Sequence, residues 1–226
     1  MTLPDESIST SEHVMNYIME QIATRELNVG DKLETERNLA AKLDVSRATV
    51  REAIKGLNVL GFVDSTQGSG NYVSNRYDDT VANIMKIMFL RGDVDFNTFT
   101  CFRKMLETQA FDLAIECATP AQKEELQKVV DLLDVSTDSD LIVSLDNRLH
   151  SIIAEASNNA LILINFNALS KGISEYMSNT FHNTVSKKKD GYKTLQVYHH
   201  AIVDALIAGD KEKGHQAIRD HYCWVK

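Results

Sequence analysis

From Thr80 to the C-terminus, apolar residues recur at helical spacing almost without interruption, and this pattern limits the fold more than any other feature. The periodic segments are 80–91, 97–117, 121–133, 139–156, 160–183 and 192–208. Thr119 and Pro120 open one helix, the threonine as cap and the proline at the first helical position. Gly209–Asp210 ends one helix and caps another that runs to the C-terminus. About six or seven helices with short connections imply an all-α bundle over 77–226.

The first 76 residues have a different texture. Ser9 and Glu12 form a capping box, and Val14, Ile18 and Ile22 follow at helical spacing until Gly30 ends the unit. TERNLAAKL predicts a second short helix capped by Thr35, with Leu39 and Leu43 facing inward. Asp44 and Val45 make a turn, and Ser46 caps a third helix that runs to Leu60 and stops at Gly61. FVDST and NYVSN are β-type runs joined by QGSG, a hairpin signal. This is the order of a winged helix-turn-helix, so the chain as a whole is expected to be mainly α with one small β-hairpin wing. The polar, aperiodic SNRYDD at 74–79 reads as the linker.

The third helix carries the chemistry of the first domain. Arg47 and Arg51 lie four apart on one face and Lys55 continues the stripe, while Val50, Ile54 and Leu57 form the adjacent apolar one. A helix N-terminus presents free N–H groups that suit phosphate, and arginine offers a fork that reads guanine in the major groove. Arg37 heads the preceding helix, Ser46 and Thr49 add hydroxyls, and the small QGSG tip lets backbone approach a groove. The formal net charge is −8, so a nucleic-acid reading rests on this local placement and not on bulk charge.

Three widely spaced cysteines, Cys101, Cys117 and Cys223, read as reduced thiols of a cytosolic protein. The polar, acidic start MTLPDESISTSEH is not a signal peptide. The apolar runs, such as ALILINF, are far shorter than the roughly 20 residues that span a bilayer, so no membrane association is expected.

The run GDKLETERNLAAKLDVSRATVREAIKGLNVLGFVDSTQGSGNYV resembles the DNA-binding domain of the GntR family of bacterial transcription regulators. The resemblance implies that Arg37, Arg47 and Arg51 are the principal DNA-contacting arginines, supported by Ser46, Thr49 and Gly68. Family wings often read GRG or GHG, whereas here Ser69 stands between Gly68 and Gly70.

Six of the seven histidines fall in the helical part. Asp146 and His150 are four apart and share a helical face, and His199 and His221 follow on two later helices. One carboxylate and three imidazoles suit zinc first, with nickel or manganese as alternatives, and leave positions open to water or ligand. This half also resembles the FCD effector domain of the FadR subfamily, through Arg103 and Glu107, through D…LH followed by Asn158, and through the run from His199 to His221. The resemblance implies that Asp146, His150, His199 and His221 hold a divalent metal at the floor of a ligand cavity. It also selects His199 over His200 within the doublet.

The expected function is a DNA-binding, non-enzymatic transcription regulator, with operator affinity modulated by a small carboxylate effector bound over the metal. Arg103 is the candidate for the effector's far end. A homodimer reading a pseudo-palindromic duplex operator is expected, because one recognition helix reads too few bases. A direct metal sensor and, more remotely, a metal-dependent enzyme are the alternatives. Against the enzyme, Glu155 lies five residues past His150, off the ligand face, and there is no HExxH motif.

Overall fold

The structure, a computed structural model, describes residues 9–172 and 191–225. The chain divides into two compact units, Met1–Thr80 and Val81–Lys226.

The first unit begins with α1 (Thr10–Ala23), where Ser9 and Glu12 complete a capping box. Arg25 takes a positive φ of 62 and ends the helix well before Gly30, so the sequence reading placed that boundary too late. Thr35 caps α2 (Glu36–Lys42), Asp44 makes the turn with φ 53, and Ser46 caps α3 (Arg47–Val59) by accepting from the Thr49 N–H at 3.0 Å. Strands β1 (Val63–Thr66) and β2 (Gly70–Val73) pair antiparallel, Val63 opposite Val73 and Thr66 opposite Gly70. Val14, Ile18, Leu39, Val50, Ile54, Leu57, Val63 and Val73 form one buried cluster. Each such side chain contributes about 1.5–3 kcal/mol of burial, which sets α3 firmly against α1 and α2. The packed face uses Val50, Ala53, Ile54 and Leu57, so Arg47, Arg51 and Lys55 are left exposed.

Helix α4 (Tyr77–Leu90) starts three residues before the sequence suggested, and the divide between the units falls inside it. Asp78 and Asp79 occupy its first turn, where carboxylates favour the positive end of the helix dipole. Polarity that reads as linker is here the ordinary chemistry of a helix start.

The second unit continues with α5 (Phe96–Cys117), α6 (Pro120–Val135), α7 (Ser139–Ala156) and α8 (Ala160–Gly172). Two further helices follow, α9 (Gly191–Ala208) and α10 (Lys211–Val225). Thr119 and Gln122 form a capping box ahead of Pro120. The expected helix over 160–183 is seen to Gly172, and its remainder lies outside the described residues. Phe111, Leu126, Leu133, Leu149, Ile152, Phe166, Ile202 and Leu206 fill the core. Gly209, at φ 72, reverses the chain between α9 and α10, and Asp210 caps α10 by accepting from the Lys213 N–H at 3.0 Å. Gly214 then allows α10 to lie close on α5, since a Cβ there would come 2.0 Å from the Phe111 ring. Among the described residues, no helix is long and apolar enough to cross a membrane.

Candidate functional site

Two sets of residues carry recognisable chemistry, one in each unit. In the first, Arg37, Ser46, Arg47 and Arg51 are exposed and Thr49 is half-buried. Gly68, with φ 76, sits exposed in the hairpin turn. Ser46 and Thr49 are already engaged, their hydroxyls 2.8 Å apart and Ser46 serving as the helix cap. Arg51 is engaged too. Its Nε and Nη2 donate to Glu36 at 2.7–3.2 Å, tying α3 to the first residue of α2. That pairing, with Arg47 adding a smaller pull, holds the Glu36 carboxyl below its ordinary value. One edge of the Arg51 guanidinium remains for a ligand, and its position is fixed in advance by the carboxylate. Arg51 is therefore both a structural and a recognition candidate, which the i,i+4 spacing with Arg47 did not disclose.

In the second unit, α7 presents Asp146 and His150, α9 presents His199 and α10 presents His221. All four are buried, at 7%, 1%, 1% and 4% exposure, and one ligand atom from each lies within 4.8 Å of the others. His199 Nε2 is 2.9 Å from Asp146 Oδ1 and 3.2 Å from His221 Nε2, and His150 Nε2 is 3.9 Å from the same oxygen. Donors bound about 2.0–2.2 Å from one ion at tetrahedral to octahedral angles stand roughly 2.9–3.5 Å apart. Asp146 Oδ1 and His150 Nε2 are buried and make no hydrogen bond of ordinary geometry, despite the short approach of His199 to the oxygen. Leaving such groups unmatched costs about 1–3 kcal/mol each, and a shared cation would satisfy both. The donor set fits a divalent metal.

Electrostatics agree with that fit. Burial pushes the Asp146 carboxyl up, but His199 and the other two histidines outweigh it and hold the group well below its ordinary value. Burial, reinforced by His150 and His199, pushes the His221 imidazole well below its own, which leaves the neutral, lone-pair form that ligates.

Around the quartet lies a supporting layer. Glu107 Oε2 is 3.0 Å from His150 Nδ1, and Glu107 Oε1 accepts from Arg103 Nε at 3.0 Å. A carboxylate behind a ligating imidazole fixes which ring nitrogen faces the ion. Burial opposes ionisation of Glu107, yet His150 and Arg103 bring its pKa to about 2. Arg103 is itself buried, its guanidinium 5.4 Å over the Phe166 ring. The Tyr222 hydroxyl is buried in the same group and pushed well above its ordinary pKa, so it stays protonated. Sequence reading assigned no site role to Glu107 and passed over Tyr222. The available signals were the four-residue spacing of Arg103 and Glu107 and the adjacency of Tyr222 to His221.

The remaining candidates are placed elsewhere. His200 turns away from the quartet to Asp134 at 2.9 Å, and His13 is exposed on α1. His215 sits half-buried in α10, 2.7 Å from Asp112 and against Phe111. Glu155 pairs with Arg148 and Ser151. Trp224 packs beside Tyr198 and Leu195. Met85, Met88 and Phe89 line an apolar cavity of about 290 Å³ with Phe99, Phe102 and Leu169. His182 and Lys187–Lys189 lie outside the described residues.

Comparison with known proteins gives two family matches. Residues 10–73 match the bacterial regulatory proteins of the gntR family, and residues 99–222 match the FCD domain. The chain is 30% identical over 201 residues to the HTH-type transcriptional regulator LutR of Bacillus subtilis, covering 88% of this chain and 92% of that one. It is 27% identical over 216 residues to the HTH-type transcriptional repressor NanR of Citrobacter rodentium, covering 93% and 82%. Among solved structures, a Streptococcus agalactiae GntR superposes with a TM-score of 0.69 at 23% identity, covering 95% of this chain and 98% of that one.

Proposed function

Because the chain belongs to the gntR family and is a DNA-binding transcription regulator with an FCD domain, not an enzyme, we propose that a metal-anchored small acid modulates its operator affinity. Asp146, His150, His199 and His221 hold one divalent ion, zinc by its preference for imidazole and carboxylate donors, with nickel or manganese as substitutes. When bound, the ion supplies an electrophilic centre that takes a carboxylate oxygen. The observation behind this reading is the convergence of four buried donors, each of which carries a buried polar atom without a hydrogen-bond partner.

The chain's own residues divide the remaining work. Glu107 lies 3.0 Å from His150 Nδ1 and orients that ring by charge, although the Nδ1 atoms of His150, His199 and His221 alike make no hydrogen bond of ordinary geometry among the described residues. One carboxylate against a divalent ion leaves a net positive centre that favours an anion in a low-dielectric surrounding. Arg103, anchored by Glu107, offers its remaining N–H groups to the far end of the ligand. Ligand binding alters DNA affinity only to the extent that the acid prefers one state of the protein.

The test is a thermal-shift screen of metal-loaded protein against small organic acids, followed by operator titrations. An acid at a hundredfold excess over its Kd stabilises the native state by about 2.7 kcal/mol, a shift of several degrees. The reading requires that the acid stabilise the loaded protein, not the chelated one, and change operator affinity. Operator affinity that follows metal alone, whatever acid is present, would replace it with direct metal sensing.

The functional unit in this reading is a homodimer on a pseudo-palindromic operator, with exposed Ile84, Ile87 and Leu90 of α4 as candidate contacts. Light scattering at micromolar concentration is expected to give twice the 25.4 kDa chain mass, and a clean monomer mass would contradict the assignment.

A further inference from the structure

The wing tip lacks a long basic side chain, since Gln67, Gly68 and Ser69 form it. A cation reaches it nonetheless from another segment. Residues 30–33 run alongside β2, with Val73 N–H donating to Asp31 O and Leu33 N–H to Asn71 O, both at 2.9 Å. Lys32 and Tyr72 are thereby bridge partners, and their side chains share a face of the hairpin. Gly70 and Tyr72, two apart on β2, share that face as well. Gly70 has no side chain, and the lysine stem occupies the space it leaves, since a Cβ there would lie 2.6 Å from Lys32 Cε. The stem therefore runs from the level of Tyr72 past Gly70, towards the turn. Tyr72 flanks it, with Lys32 Nζ 5.7 Å from the ring centroid and the tyrosine hydroxyl 2.6 Å from Ser69 Oγ.

Three cations of this unit are neutralised: Lys42 pairs with Glu34, Arg51 with Glu36, and Arg76 with Asp64. Arg25, Arg37, Arg47 and Lys55 have no ion pair among the described residues, but they lie on the helices or their ends and not on the hairpin. Among the described residues, no ion pair neutralises Lys32, and its side chain is exposed. An aromatic ring attracts an ammonium without cancelling its charge. The arrangement keeps a full positive charge at a fixed place beside a tip with little side-chain bulk.

We propose that Lys32 is the cation of the wing and neutralises one backbone phosphate of the DNA on which the hairpin rests. The tip then supplies close backbone approach, and the charge comes from the loop before α2. Lys32 adds affinity without reading bases. This inference rests on the reading of α3 and the wing as the DNA-binding face.

The experiment measures operator affinity against salt for the full chain and for Lys32→Met, Lys32→Arg, Lys42→Met and Arg47→Ala. Methionine keeps the length and apolar stem of the lysine, and thermal melting checks that each variant folds. Lys32→Met is expected to lower the slope of log K on log salt by about 0.9 per bound chain, so that its deficit shrinks about 3.5-fold between 50 and 200 mM salt. It should weaken operator and unrelated duplex alike, while Lys32→Arg retains the wild-type slope. Lys42→Met is expected to change nothing. An unchanged slope in Lys32→Met, or an equal loss in Lys42→Met, overturns the assignment. Wild-type affinity in Arg47→Ala would instead show that the DNA-binding face itself is misplaced.

Discussion

Replacing His150 and His199 together by alanine is expected to take the bound metal from about one ion per chain to background. The two residues supply half of the donor set from two different helices, so no rotamer change on α7 or α9 alone can restore it. Asp146 and His221 would remain as a pair, too few to hold a divalent ion against water or a chelator. The measurement is elemental analysis of both proteins after gel filtration. A parallel melting curve separates loss of metal from loss of fold. A chelator should lower the melting temperature of the wild type and leave the double variant where it was, because only the first has an ion to lose. Equal metal content in the two proteins would sink the assignment, and the effector pocket would then have to lie elsewhere in the bundle.

Operator binding should respond almost as strongly to the arginines of α3. Arg47→Ala is expected to cost on the order of 1–3 kcal/mol per half-site if the side chain reads a base, and to lower the salt slope if it meets a phosphate. Arg51→Ala should cost at least as much, for a reason visible only in the structure. Its removal leaves Glu36 ionised and unpaired, so a carboxylate replaces a cation near the phosphates. Glu36→Gln relieves that repulsion but releases the guanidinium from its fixed position, and the resulting loss should appear in discrimination between operator and unrelated duplex. Mobility-shift titrations on both duplexes check all three. Wild-type affinity in both arginine variants would refute the placement of the DNA face.

The parts of this molecule that were legible in the sequence are those written by local chemistry. Ser9, Thr35, Ser46 and Thr119 are caps because their side chains meet backbone three residues on, and each was readable from its own neighbourhood. Asp146 and His150 were readable as a pair for the same reason, since one helical turn separates them. Helix limits set by backbone conformation were not. Arg25 ends α1 through a positive φ that arginine rarely adopts, and nothing in its neighbours announces this. Pairings across the fold were also silent. Arg51 finds Glu36 fifteen residues away, and His215 finds Asp112 across 103. Glu107 and Tyr222 join the quartet's surroundings only because α5, α7 and α10 pack together, and no period in the sequence encodes that packing.

The reversal at Gly209 shapes how the four donors come together as the chain folds. Asp146 and His150 need only one turn of α7, and His199 and His221, 22 residues apart, need only α9 and α10 to close as a hairpin. Each doubling of a closed loop costs about 0.6 kcal/mol of chain entropy, so these two half-sites are inexpensive to form. One longer closure, from His150 to His199, remains, and the apolar core between the helices drives it. Most of the ordering is therefore complete before any cation arrives, and a cation that enters meets donors already in place.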